Sequence, residues 1–267
     1  MTRGAAVAGA FYAATRERLR AQIAGLRPKR AVPREAIAAV SPHAGYIYSG
    51  RVAAAVYAQI APPDTWVILG PNHTGLGAQA SIMTAGEWQT PLGRLPIDAE
   101  LAQAILANSV TLREDSLAHA REHSIEVQLP FLQVEAPASR FVPIALFAHE
   151  YPLCRDVGLA AATAIRATHR RAVLVASTDM SHYVSRAVAA EQDRKAIDAI
   201  LALDPEELHR VVRRDGISMC GFHAATAVLV AAKTLGAGSA ELVAYTDSGE
   251  VSGDATEVVA YAGMVIR

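Results

Sequence analysis

The chain has 267 residues, of which 52% are hydrophobic and 19% are charged, so it is long enough to bury one large core. Its 25 Lys and Arg residues balance 26 Asp and Glu residues, which gives a formal net charge of -1, and no basic run interrupts this balance. We therefore expect no nucleic-acid partner, because nucleic-acid-binding surfaces are usually basic.

The two cysteines, Cys154 and Cys220, are too few for a disulfide framework, which favours a protein of the reducing cytoplasm. The first residues have the outline of a signal peptide, but Gly4 and Gly9 interrupt the short apolar run. We expect neither a cleaved signal nor a membrane partner, since no later segment approaches the ~18 uncharged apolar residues of a membrane span. The sequence predicts a single soluble domain over residues 1–267.

Apolar residues three and four apart predict helices, and uninterrupted apolar runs predict strands that are buried on both faces. In chain order the predicted elements are a helix at 16–26, strands at 36–40 and 66–70, a β-hairpin at 81–98, a helix at 98–108, strands at 141–147 and 172–177, helices at 194–203 and 204–212, and a strand at 258–266.

The alternation of strands and helices predicts an α/β fold, a three-layer sandwich around a central sheet. Asp204 is the expected N-cap of the 204–212 helix, with Pro205 at its first position. The hairpin at 81–98 favours a mixed sheet over a purely parallel one. The basic, proline-broken stretch at 27–35 predicts a surface loop.

Four of the nine histidines follow predicted strands, where the loops of an open α/β sheet converge on one edge. These are His43, His73, His149 and His182. A lone histidine at a strand end is more often a turn or core residue than a functional one. His43 and His73 stand out, because each follows a proline closely and precedes a glycine by two positions. Two rigidly presented imidazoles suggest a metal site.

The remaining histidines outside these motifs have simpler interpretations. We expect His149 to belong to an ordinary loop. We expect His119, His169 and His209 to be solvated.

The segment STDMSHY contains Asp179, Ser181, His182 and Tyr183 after a strand. A capped turn before the next helix would explain Asp179 or Ser181, whereas a histidine near a carboxylate can act as a general base. Ser181 as a hydrolase nucleophile is disfavoured, because no G-x-S-x-G turn surrounds it.

In the segment REHSIEVQLPFL, Glu122 needs no role beyond compensating a helix dipole, but His123 is harder to dismiss. Cys220 precedes a predicted helix, whose N-terminus would favour the metal-binding thiolate; the alternative is a small buried hydrophobe. Cys154 is expected to be structural.

Seven segments, in this order and over nearly the whole chain, resemble the sequence blocks of the Memo family, known in prokaryotes as AmmeMemoRadiSam system protein B. They are AVAGAFY, PHAGYIYSG, LGPNHTG, EHSIEVQLPFL, STDMSHY, MCGF and YTDSGEVSGD. The combination is specific, although no single block would suffice.

The resemblance implies a fold similar to that of class III extradiol (LigB-type) dioxygenases, non-haem iron enzymes with two His ligands and one Glu ligand. By motif, His43 and His73 match the metal histidines, and Cys220 falls where the dioxygenases have their carboxylate. His182 matches the acid/base histidine with Asp179 beside it, and His123 is expected to line the same pocket. We assign His182, Asp179 and His123 to the catalytic group and His43, His73 and Cys220 to the metal.

The substrate contacts are expected at Tyr46, Asn72 and His223. The chain departs from the family pattern where Phe222, His223 and Ala224 replace the usual Gly-Pro continuation, so His223 is either a pocket residue or a substitution on the helix surface. Prolines that commonly flank the AVAGxFY block are also absent. These departures concern the shape of the pocket and the substrate, not the fold.

Three functions follow as hypotheses. The first is a metal-dependent oxidoreductase with Fe(II), or with copper or zinc, acting on a small molecule, because a thiolate ligand is softer than a carboxylate. The second is an accessory or binding protein that retains the pocket, binds a small molecule or a peptide, and works with a radical-SAM protein and a companion protein, as the resemblance implies. The third is zinc-dependent hydrolysis with His182 as base.

Overall fold

The computed structural model describes residues 1–267 and has a nine-stranded mixed sheet between two layers of helices. The strands are β1 (Thr2–Arg3), β2 (Ala38–Ser41), β3 (Thr65–Pro71), β4 (Ala80–Ile82), β5 (Glu87–Thr90), β6 (Gly93–Pro96), β7 (Arg113–Glu114), β8 (Arg140–Leu146), β9 (Ala172–Ser177), β10 (His182–Val184), β11 (Ala240–Asp247) and β12 (Val258–Ile266). The helices are α1 (Arg16–Leu26), α2 (Tyr46–Tyr57), α3 (Ala99–Ala107), α4 (Leu129–Glu135), α5 (Tyr151–Thr168), α6 (Arg186–Leu201), α7 (Pro205–Asp215), α8 (Phe222–Leu235) and α9 (Gly249–Ser252), with two short 3-10 turns at Leu117–His119 and Glu126–Gln128.

The main sheet has the strand order β10-β12-β2-β9-β3-β8-β4-β7, and β11 also pairs with β12. Its centre is parallel, because β2, β9, β3 and β8 run in the same direction. Antiparallel strands flank this centre, β12 beside β2 and β4 beside β8. The predicted mixed sheet is therefore confirmed. The predicted hairpin is β5 and β6, which form a separate small sheet with β1.

Helices cover both faces of the main sheet. Helix α2 packs on β2, β11 and β12 and carries α1 and α4 against it, whereas α8 packs on β2, β3 and β9 with α5 and α7 beside it. The buried apolar side chains form a contiguous core between these layers. None of the helices combines the length and the apolar character that crossing a bilayer would require.

Most predicted elements agree with the structure to within two residues. The helix at 16–26 and the strand at 258–266 match α1 and β12, and Asp204 caps α7 by accepting a hydrogen bond from the Glu207 amide. Strand β11 was not predicted. Most of its residues are partly or fully exposed at the edge of the sheet, so it lacks the uninterrupted apolar run typical of a central strand.

The parallel strands end at one edge of the sheet. Ser41 at the end of β2 pairs with Ser177 at the end of β9, and Pro71 at the end of β3 pairs with Leu146 at the end of β8. This register brings the segments that follow these strands together. Of the four histidines predicted to follow strands at a shared edge, His43, His73 and His182 line the cleft described below, and His149 does not.

The N-terminal segment is held against this edge by a buried carboxylate, Glu126. Arg3 forms a salt bridge with Glu126, and Tyr12 donates its hydroxyl proton to the same side chain at 2.6 Å. The amides of Ala6 and Val7 also donate to Glu126. Glu126 thus satisfies four donors of a segment that would otherwise lie loosely on the surface.

Glu126→Gln is expected to lower the free energy of unfolding by about 3 kcal/mol, because the buried Arg3 guanidinium would lose its counter-charge. Urea unfolding followed by circular dichroism measures this change. Asp198→Asn is the control: it removes the exposed partner of Arg194 and should cost less than about 1 kcal/mol. Equal losses in the two variants would contradict an anchoring role for Glu126.

Candidate metal centre

Three imidazoles converge at the carboxyl edge of the sheet. One ring nitrogen from each of His43, His73 and His123 lies within 4.8 Å of the other two, close enough for the three to hold one metal ion. The rings of His73 and His123 stack at 4.6 Å, and the ring of His43 stands edge-on to both at 5.3 and 5.4 Å. The sequence predicted that His43 and His73 lie together and that His123 lines the same pocket. The structure places His123 within the cluster itself.

The ring of His43 is oriented by Ser177, the last residue of β9. Ser177 Oγ donates to the Ser124 carbonyl at 2.6 Å and accepts from Gln128 Nε2 at 2.8 Å. Its contact with His43 Nδ1, at 3.0 Å, must therefore be a hydrogen bond donated by the ring. The proton thus resides on Nδ1, and Nε2 carries the lone pair that a metal ion can bind.

Gln128 can act in only one orientation. Its Oε1 accepts from the hydroxyls of Ser41 and Tyr57 at 3.0 and 2.8 Å, and its Nε2 also donates to the Pro42 carbonyl at 3.0 Å. Because both ends of the amide are occupied, Gln128 always presents a donor to Ser177. The tautomer of His43 is therefore fixed by a network of buried hydrogen bonds.

Glu122 orients His73 in the same way. The carboxylate, which is fully buried, accepts from His73 Nδ1 at 2.9 Å and from the His73 amide at 2.5 Å. Burial would raise the pKa of Glu122, but the hydrogen bond from His73 and those from nearby amides lower it to about 2. Glu122 is thus ionised, and the lone pair of His73 Nε2 is available to a metal. A carboxylate behind a metal histidine also raises the basicity of the ligand.

The turn that carries Glu122 packs directly on β3. Ser124 Oγ donates to the Pro71 carbonyl at 2.8 Å. A Cβ atom on Gly70 would lie 2.6 Å from that hydroxyl oxygen, so only glycine allows the two segments to approach this closely. The turn holds His123 in the cluster, with its ring 4.6 Å from that of Phe11. Burial lowers the pKa of His123 to about 4, so its imidazole is neutral and suited to metal binding.

Cys220 lies beside the cluster but is not one of the three converging ligands. Its Sγ is 3.2 Å from His43 Nε2 and 3.3 Å from the amide nitrogen of Asp179. Burial and the nearby Asp179 raise the pKa of the thiol, which is the opposite of the expected helix effect. Two reasons explain this: Cys220 precedes α8 by two residues, and burial disfavours the charged thiolate. In the metal-free protein Cys220 is thus a thiol that donates to His43.

Asp179 and His182 do not form the pair that the sequence suggested. Asp179 accepts from the His43 amide at 2.8 Å, and burial raises its pKa to about 6. His182 is instead oriented by backbone, since its Nδ1 lies 2.7 Å from the Met180 carbonyl and 2.9 Å from the Ser218 carbonyl. Carbonyls only accept, so the proton lies on Nδ1 and Nε2 can receive one. His182 remains a suitable proton acceptor.

These side chains line an open cleft with a volume of about 920 Å³. His43, His73 and His123 lie in its wall together with Asp179, His182 and Cys220. The six residues that the sequence assigned to the metal or to catalysis therefore share one cavity. The difference is that His123, rather than Cys220, converges with His43 and His73.

The three residues predicted to contact a substrate do not line this cleft. Tyr46 is buried and donates to the Val127 carbonyl at 2.6 Å, and Asn72 is occupied in its own turn by Thr74 and Leu76. His223 is a buried residue in the first turn of α8, and its Nε2 lies 3.0 Å from the Leu146 carbonyl oxygen. The prediction for these three residues is corrected: each stabilises the structure behind or beside the site.

Two other interpretations of polar residues also change. His119, expected to be solvated, is fully buried and lies 3.0 Å from Ser81 Oγ. Glu122, attributed to a helix dipole, is the partner of His73. The position of Glu122 directly before His123 was the one feature of the sequence that could have suggested a role for Glu122 in the site. Ser177 and Gln128 gave no signal, because nothing in the local pattern links them to His43.

Glu122→Gln is expected to weaken the binding of a divalent transition metal by about 10- to 100-fold, because the amide cannot accept from His73 as strongly as the carboxylate does. Competition with a chelating dye measures the affinity. Glu114→Gln, an exposed change on β7, is the control and should bind metal as the parent does. Parent-like affinity in the Glu122 variant would show that this carboxylate does not support a metal ligand.

The chain resembles known proteins over almost its whole length. The family model described as Memo-like protein matches residues 3–265. A MEMO1 family protein of Methanopyrus kandleri is 44% identical over 100% of this chain and 99% of its own length. A MEMO1 family protein of Methanothermobacter thermautotrophicus is 41% identical over 98% of this chain and 99% of its own.

A solved structure of low sequence identity has a similar fold. The crystal structure of the uncharacterized protein JW3007 from Escherichia coli K12 superposes with a TM-score of 0.57 at 12% identity, covering 84% of this chain and 98% of the other. At that identity the likeness concerns the fold alone. The family match and the two archaeal relatives cover the chain almost end to end, so the chain belongs to the Memo family.

Proposed function

We propose that this Memo-family protein is a metal-dependent oxidoreductase in which His43, His73 and His123 hold one first-row transition-metal ion. The observation that carries the proposal is the convergence of three ligand nitrogens within 4.8 Å, two of them on rings whose other nitrogen donates to a buried acceptor. Neutral imidazoles suit iron, copper and zinc. Iron(II) is our first assignment, and copper and zinc are the alternatives.

The donor set fits such an ion once the Cys220 thiol no longer donates to His43 Nε2. Burial lowers the pKa of His43 well below its usual value and that of His123 to about 4, so both rings are already deprotonated for binding. The thiol of Cys220 can add a fourth, softer ligand once it loses its proton. When bound, the ion would supply a centre that activates a small molecule such as dioxygen.

The proposed role of His182 is to move a proton near this centre. Its Nδ1 donates to two carbonyls, so Nε2 can take a proton from a bound molecule and return it later. Asp179, whose pKa burial raises to about 6, fixes the His43 loop through the His43 amide. We therefore assign His182 to proton transfer and Asp179 to positioning.

Cys220 favours a second candidate function. Its thiol occupies the lone pair of His43 Nε2, and a thiolate with imidazoles forms a set that retains copper or zinc firmly. The protein would then bind metal and ligand without turnover, as an accessory to a radical-SAM protein and a companion protein. That association, and a cytoplasmic location, are part of this proposal.

Metal analysis of protein purified anaerobically without a histidine tag tests the site. We expect close to one first-row metal ion per chain in the parent and at least about a tenfold loss of affinity in the His43→Ala, His73→Ala double variant, which lacks two of three ligands. His169→Asn, which removes an exposed histidine at the end of α5, is the control and should retain the metal. Equal metal content in parent and double variant would refute the proposal.

The same preparations separate the two candidates. With a catechol at an oxygen electrode, oxygen consumption by the metal-loaded parent supports the oxidoreductase. Consumption that appears only in a Cys220→Glu variant supports the accessory protein. Turnover of an ester by zinc-loaded protein under strict anaerobiosis would instead indicate hydrolysis.

A further inference from the structure

The segment 247–257 forms the outer rim of the cleft. The proposed metal site does not use any of its residues. The segment contains most of the block YTDSGEVSGD, and Ser248, Ser252, Asp254 and Glu257 line the cleft. The segment is folded tightly on itself: a Cβ atom on Gly249 would lie 2.4 Å from the Asp254 carbonyl oxygen. The positions of Asp254 and Glu257 are therefore set by the fold of the segment.

The charge of this cleft is one-sided. No Lys or Arg is among the residues that line it, whereas Asp179, Asp254 and Glu257 are. Neither Asp254 nor Glu257 forms a salt bridge; Asp254 is only oriented by hydrogen bonds from the amide and hydroxyl of Thr256. The arginine that contacts the same segment, Arg186, is neutralised by Asp247 and Glu250. The two rim carboxylates are thus unpaired and face a shared cavity.

Exposed aromatic rings complete the wall. Tyr48 and Tyr183 line the cleft with 40% and 75% of their surfaces exposed, and Phe11 and Tyr261 are also in the lining. Tyr183 has a φ of 57°, a left-handed conformation that is unusual for a bulky residue and is found at functional sites. Carboxylates beside exposed aromatic faces are the surroundings in which proteins bind organic cations.

A metal ion at the floor of the cleft would not cancel the preference of the rim for organic cations. A divalent ion at His43, His73 and His123 would bring two positive charges, but Glu122 contacts His73 and Asp179 contacts the His43 loop. These two carboxylates balance the ion locally, so the rim keeps its own negative potential.

We propose that the cleft accepts a ligand with an aromatic ring and a positively charged amine, the amine lying at Asp254 and Glu257, and that it rejects ligands with a carboxylate or phosphate at that end. The ring would lie against Tyr48 and Tyr183, and its inner edge would face the three histidines. This inference names the ligand class for the proposed metal function and rests on it for any reaction. The charge preference itself requires no metal.

A reporter thiol on metal-free protein tests the preference. Ser252→Cys places a thiol on the cleft wall in a Cys220→Ser background, and Cys154 is fully buried. We expect the rate ratio of a cationic to an anionic methanethiosulfonate to be about tenfold higher here than at Ala107→Cys, an exposed site on α3. Asp254→Asn with Glu257→Gln should remove most of that difference. A ratio equal to that of Ala107→Cys would overturn the proposal.

Protection of the same reporter against a neutral methanethiosulfonate tests the ligand class. Tyramine should slow the reaction more than 3-(4-hydroxyphenyl)propanoate, its near-isosteric acid. Equal protection by the two compounds, or protection by neither, would also overturn the proposal. Because no metal is present, these outcomes are independent of the metal analysis: a failed metal site leaves the thiol ratio unchanged, and a failed ratio leaves the metal content unchanged.

Discussion

The site depends on two buried groups, Ser177 Oγ and the Glu122 carboxylate, that accept hydrogen bonds from Nδ1 of His43 and His73. Ser177 Oγ lies 3.0 Å from His43 Nδ1, and a Glu122 carboxylate oxygen lies 2.9 Å from His73 Nδ1. With Nδ1 occupied, only Nε2 is left to face the cleft. Had either acceptor been a donor, the ring would turn or change tautomer, and its lone pair would no longer be available to a metal ion.

The sheet explains why such remote groups meet. Parallel strands deliver their C-terminal segments to one edge, so loops far apart in the chain share a single cavity. Gln128 and Ser177 are 49 positions apart, and His43 and Ser177 are 134 apart, yet one chain of hydrogen bonds joins all three. The anchored N-terminal segment adds Phe11 to the cleft wall. The geometry of the metal centre is thus a property of the whole sheet edge.

The sequence predicted the parts whose signal is local. Buried central strands appear as apolar runs, and rigid proline and glycine turns marked His43 and His73. Edge strand β11 carried no such run. The acceptors Ser177 and Gln128 could not be recognised, because their function lies in contacts across the fold. Burial also reversed the expected ionisation of Cys220, since the neighbouring carboxylate and the loss of water outweigh any helix effect.

The most direct test of the account is the tautomeric state of the two imidazoles. Long-range proton–nitrogen NMR of metal-free protein with 15N-labelled histidine, assigned with His43→Gln and His73→Gln variants, reports which ring nitrogen carries the proton. We predict a proton on Nδ1 in both rings, and a large shift of both Nε2 resonances on addition of one equivalent of zinc(II). Protonation on Nε2 in either ring, or unchanged resonances after zinc addition, would contradict this prediction.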